Sequence, residues 1–80
     1  MSEEIKGVKT LDTKGLFCPM PVVKLASTIK SIQIGEILEV LATDPGALAD
    51  IPAWARKTGN ELVKQAKEEN VLKFYVKRKV

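Results

Sequence analysis

Eighty residues suffice for one domain with a thin core, because a chain this short buries only about 60% of the surface it exposes when unfolded. A composition 45% apolar is enough for such a core, and the formal charge of +3, from 13 basic and 10 acidic residues, suits an acidic partner surface without indicating nucleic acid. No apolar run approaches the ~20 residues that span a bilayer, Met1 to Lys9 lacks the apolar core of a signal peptide, and a single cysteine permits no intrachain disulfide, so a reducing, cytoplasmic location is expected.

In chain order, Met1 to Lys6 is polar and expected to be disordered. Gly7 to Asp12, with Val8, Thr10 and Leu11, reads as a first strand, and Thr13 to Phe17 as the loop that delivers Cys18. From Pro19 to Ile32 the apolar positions Val22, Leu25, Ala26, Ile29 and Ile32 follow a helical stripe, with Lys24, Ser27, Thr28, Lys30 and Ser31 left to water. Ile34-Gly35 ends that helix. Glu36 to Thr43 alternates as a strand with Leu38, Val40 and Ala42 on one face and Ile37, Glu39 and Leu41 on the other. The second face is apolar enough to require either a central strand position or a docking surface.

Asp44-Pro45-Gly46 is a turn by composition, since Asp bonds its own downstream backbone and Pro presets φ. Pro52 predicts a short turn at Ala47 to Ala49, followed by a helix capped by Asp50, with Pro52 in its first turn and Gly59 as its stop. Trp54 is expected to pack this helix on the sheet. Asn60 to Lys67, a polar turn at Glu68-Glu69-Asn70, and Val71 to Lys79 read as a hairpin, with Leu72, Phe74 and Val76 inward and Lys73, Tyr75 and Lys77 outward. Lys73, Lys77, Arg78 and Lys79 read as protection for an edge strand. The order βαβαββ predicts an α/β two-layer sandwich, one domain over residues 1–80, with a mixed four-stranded sheet, a right-handed first βαβ unit and both helices on one face.

The chemistry-bearing stretch is Gly15-Leu16-Phe17-Cys18-Pro19-Met20-Pro21. It sets the cysteine at or next to the N-cap of the first helix, where Pro fits because its missing N–H would have had no intrahelical partner. Unpaired N–H groups and the positive end of the helix dipole favour a thiolate there. From a reference pKa near 8.5, roughly 3% of a thiol is ionised at pH 7, and about 1.4 kcal/mol of dipole help raises that to roughly a quarter. Histidine is absent, so no Cys-His dyad exists within the chain. No second cysteine can resolve a mixed disulfide, which leaves a lone nucleophile that accepts a group and hands it on. Zinc would need ligands from another subunit, and phosphate-binding glycine patterns are missing, so neither metal nor cofactor is expected.

Leu11-Asp12-Thr13-Lys14-Gly15-Leu16-Phe17-Cys18-Pro19-Met20-Pro21 resembles the signature of the TusA/SirA family of small sulfur-carrier proteins, marked by Cys-Pro-x-Pro after a Gly-Leu pair. Gly35-Glu36-Ile37-Leu38-Glu39-Val40, then Ala42-Thr43-Asp44-Pro45-Gly46, then Asp50-Ile51-Pro52 extend the resemblance over roughly residues 8 to 79. It implies the same two-layer sandwich, a layout shared with the C-terminal domain of bacterial translation initiation factor three. It also implies that Cys18 carries sulfane sulfur covalently, as a persulfide or thiosulfonate, without acting as a stand-alone enzyme. The implied partners are a donor such as a cysteine desulfurase or rhodanese-like protein and an acceptor such as a DsrE-like protein, in tRNA thiolation, cofactor sulfuration or sulfur oxidation. Phe17 and Met20 flank the cysteine where the tRNA-thiolation branch often has charged residues, so the rim is more apolar here and points to a different donor or acceptor.

Around Cys18, the residues Gly15, Pro19 and Pro21 are expected to shape the loop and hold the sulfur outward. Lys14 and Lys24 are candidates to stabilise an anionic sulfur. Asp44 reads first as a turn residue; the alternative is that the turn after the second strand lies beside Cys18, where its charge would raise the thiol pKa, so that it would serve by hydrogen bonding to the loop backbone. The rival reading is a non-catalytic RNA-binding or regulatory module, which the lack of exposed aromatic pairs and of an arginine-rich stripe disfavours.

Overall fold

The computed structural model describes residues 9–80, so the expectations for Met1 to Lys6 and for Gly7 and Val8 lie outside the described residues. The elements are β1 (Lys9–Thr13), α1 (Met20–Thr28) continued by a 3-10 turn (Ile29–Ser31), β2 (Ile37–Ala42), α2 (Ala47–Thr58), β3 (Glu61–Glu68) and β4 (Val71–Lys77). The sheet order is β1-β2-β4-β3, with β1 and β2 parallel and the other two pairings antiparallel. This is the expected mixed four-stranded sheet with two helices.

The core lies between the helices and one sheet face. Leu25, Ile29 and Ile32 from the first helical segment and Ala47 and Ile51 from α2 meet Leu38, Val40, Ala42, Leu72, Phe74 and Val76. The alternation read from β2 and β4 is the burial pattern observed, because successive strand side chains point to opposite faces. Trp54, Leu11, Val22 and Leu62 pack against the margin, as expected for Trp54. On the uncovered face, Glu39 accepts hydrogen bonds from Thr10 Oγ1 at 2.8 Å and Tyr75 Oη at 2.7 Å. The apolar outer face of β2 has its explanation in the strand's central position.

Two expectations are corrected. The stretch from Ala47 is one helix, with Pro52 inside it and Asp50 in its first turn instead of at its cap. The N–H groups of Ala47, Leu48 and Ala49 donate to Asp44, Pro45 and Gly46, so the turn winds directly into the helix. Ala47, Ile51 and Ala55, four residues apart, are all buried, and that stripe draws Ala47 into the element. Pro52 leaves only the Leu48 carbonyl without its usual partner, and Leu48 is exposed to water. Gly59 ends the helix as expected.

The second correction concerns the basic tail. β4 is interior and β3 is the edge, so Lys73, Lys77, Arg78 and Lys79 protect no edge. Lys73 instead pairs with Glu68 at 2.8 Å and Lys79 with Glu61 at 3.5 Å. The edge strand carries Lys64 and Lys67 and an irregular register at Leu62/Lys64, both of which discourage pairing with another chain.

Candidate functional site

The C-terminal ends of the parallel strands β1 and β2 bring two loops together. In the first, Leu16 N–H donates to Thr13 O at 3.1 Å, and Gly15 has φ +85°. Only a residue without Cβ adopts that backbone readily, which makes Gly15 the pivot of the loop. Thr43 Oγ1 accepts the Gly15 N–H at 2.9 Å, and the buried Thr13 hydroxyl donates to Leu41 O. Loop and strand end are thereby tied, and Cys18 emerges exposed just before Pro19, the N-cap of α1. The Cys18–Pro19 peptide bond is cis. Pro21 is buried in the first turn.

Asp44 does lie beside Cys18, and its Oδ2 accepts the Cys18 N–H at 2.7 Å. The sequence marks Asp50 as a helix cap, and the structure places it on the sulfur, where its carboxylate accepts a hydrogen bond from Cys18 Sγ. The missed signal is the run Asp50, Ala53, Trp54 and Lys57, a single helix face once the helix runs through Pro52. That face lines a shallow groove with Pro19 and Val22 beside the cysteine. Gly46 was also missed as a site residue. A methyl group there would stand 3.1 Å from Asp44 Oδ2 and 3.2 Å from Cys18 Cβ.

The electrostatics correct the expectation of a partly ionised thiol. The hydrogen bond to Asp50 comes first, then desolvation and the charges of Asp50 and Asp44, and together they raise the Cys18 pKa above its ordinary value. The helix start offers little to oppose them. Pro19 and Pro21 have no N–H, and the N–H of Met20 is already donated to Phe17 O at 2.7 Å. The prolines that place the sulfur thus also remove two of the amides that would have stabilised its anion.

The two lysine candidates lie apart from the carboxylates that act on the thiol. Lys14 borders a depression with Leu41, Glu68, Glu69, Val71 and Lys73, and its N–H donates to Asp12. Lys24 is exposed on α1, and neither lysine is among the groups that shift the thiol.

The contact at Gly46 has a measurable consequence. Its backbone is right-handed, with φ −59°, so Gly46→Ala is strained by crowding alone. It should cost about 1 kcal/mol in urea unfolding, and it should accelerate amide hydrogen exchange at Cys18 as the methyl displaces Asp44. Unchanged exchange would mean the carboxylate has another place to go.

Known proteins resemble this chain over most of its length. A Halobacterium salinarum protein is 52% identical over 79 residues, covering 98% of each chain. YrkI of Bacillus subtilis is 43% identical over 74 residues, 92% of this chain and 99% of that protein. The sulfur carrier protein TusA of Allochromatium vinosum is 40% identical over 68 residues, 85% of this chain and 90% of its own. The crystal structure of a SirA-like protein from Desulfitobacterium hafniense superposes with a TM-score of 0.77, over 91% of this chain and 99% of that one, at 19% identity, and so shows the same fold. Residues 9–78 match the family model described as Sulfurtransferase TusA, and the chain belongs to the TusA family of sulfur carriers.

Proposed function

We propose that Cys18 is the sulfur-bearing nucleophile and that the protein passes sulfane sulfur from a donor protein to an acceptor protein. The observation that carries this reading is an exposed cysteine whose own N–H is held by the Asp44 carboxylate. In loading, the Cys18 thiolate attacks the outer sulfur of a donor persulfide, R–S–SH. The new S–S bond forms on Cys18, the old one breaks, and the electron pair leaves on R–S⁻, which takes up the proton released by Cys18. Delivery is the same exchange in reverse order, with an acceptor thiolate as the attacker, and neither step involves net oxidation. Gly15, Pro19 and Pro21 position the loop and carry no charge in the reaction. Donors of the cysteine desulfurase or rhodanese-like kind and acceptors of the DsrE-like kind fit this chemistry, and a reducing compartment such as the cytoplasm keeps the thiol free.

Intact mass spectrometry tests the reading. After incubation with a persulfide donor, the protein should gain the mass of one or more sulfur atoms, lose it on reduction, and pass it to an acceptor thiol. Cys18→Ser should gain nothing. An equal gain by the serine variant would end the proposal.

A further inference from the structure

Two carboxylates close on Cys18. Asp44, from the turn after β2, holds its N–H, and Asp50, from the first turn of α2, holds the hydrogen of Sγ. The residues that flank the site are apolar: Phe17 and Met20 are 74% and 41% exposed, and Val22 and Trp54 line the adjoining groove. Among the nearby cations, Lys57 lines the adjoining groove with Asp50, yet neither it nor Lys14 nor Lys24 is among the charges acting on the sulfur. The centre of this face is therefore negative although the whole chain carries +3. Charges in contact outweigh others dispersed in water, which salt screens within about 10 Å. The net charge alone suggested an acidic partner, and the local geometry reverses that sign.

We propose that the partner protein which exchanges sulfur with Cys18 presents a cation set in an apolar surface, and that this cation takes over the Asp50 carboxylate and frees Sγ to react. The inference rests on the sulfur-carrier reading above. Free in solution, the thiol keeps its proton, because its acceptor is a carboxylate that stabilises S–H and repels S⁻. In the complex, neutralising Asp50 removes both effects, and the thiolate that forms is already against the donor's persulfide. An apolar rim strengthens the cation–carboxylate attraction by excluding water when the surfaces meet. Loading is thereby confined to docked partners, and a loaded persulfide anion, facing the same carboxylates, is likewise steered to a cationic acceptor.

The test uses the whole chain and its Asp50→Asn variant, with circular dichroism to compare their folds. In the first measurement, iodoacetamide labels Cys18 across pH. The midpoint should lie below that of the parent in the variant, and its labelling at about pH 7.5 should be roughly three- to tenfold faster. In the second, Cys18 exchanges with three small disulfides that carry different charge: cystamine, hydroxyethyl disulfide and dithiodipropionate. In each, the thiolate forms one S–S bond and expels one thiolate. With rates normalised to free cysteine, the parent should prefer cationic cystamine over anionic dithiodipropionate by about threefold or more at low salt. The preference should shrink at about 0.5 M salt and fall toward unity in Asp50→Asn.

Equal normalised rates for cation and anion on the parent would overturn the proposal, as would an unmoved labelling midpoint in a folded variant. Should the variant fail to fold, the salt-dependent charge series on the parent still decides. Neither readout involves a persulfide, so failure here leaves the carrier role standing, and a missing sulfur adduct leaves the charge preference standing.

Discussion

Phe74→Ala is expected to remove about 3–5 kcal/mol of stability, since Phe74 is the largest fully buried side chain among the described residues. Phe74 lies on β4, wholly buried, at the centre of the cluster to which α1, α2, β2 and β4 all contribute. Val40 faces it across the β2–β4 pairing and is itself fully buried. A chain of 80 residues has roughly 4–12 kcal/mol in all, so the variant should lose a large share of it and its urea midpoint should fall steeply. Urea unfolding of Phe74→Leu, which keeps most of the volume, should show a far smaller shift. Near-equal midpoints for Phe74→Ala and the parent would mean that this ring is not the keystone its burial indicates.

The second large effect is expected at Arg78. Its guanidinium donates to Ile32 O at 2.6 Å, where the first helical segment ends. Helix ends leave carbonyls without intrahelical partners and carry the negative end of the dipole, so a cation there satisfies both needs. Its backbone adds a second tie, since Gly35 N–H donates to Arg78 O and Arg78 N–H to Glu36 O. Replacing the side chain alone, by Arg78→Met, keeps the aliphatic stem and removes the charged hydrogen bond, and should cost about 2 kcal/mol. The urea midpoint measures it. A loss below about 0.5 kcal/mol would show that water serves the carbonyl equally well.

Both stability predictions fall on residues that bind distant parts of the chain, and the contrast with Cys18 is instructive. A nucleophile at a helix start is usually activated by that start. Here the two prolines of the motif remove two donors from the helix start, Met20 spends a third on Phe17 O, and α2 supplies a carboxylate. The resting thiol is consequently a guarded one, with a pKa pushed above its ordinary value. Its reactivity should climb as pH rises toward that higher value instead of levelling off near neutrality, which suits a carrier meant to react only with chosen proteins.

By itself the sequence determined the elements and their faces. The step pattern of Val22, Leu25 and Ile29 and the alternations of Leu38-Val40-Ala42 and Leu72-Phe74-Val76 mark surfaces that must be buried, since period and burial are two expressions of one backbone geometry. It determined the position of the sulfur as well, because Gly15, Pro19 and Pro21 act through local dihedral limits that neighbours three or four residues away cannot override. Only the tertiary structure decided the strand order, the passage of α2 through Pro52, and the meeting of Cys18 with Asp50. Each of these depends on contacts between residues far apart in the chain. Asp50 reaches the sulfur because packing of Ala47, Ile51 and Ala55 on the core rotates its side chain toward the start of α1, and no local pattern around Asp50 encodes where α1 begins.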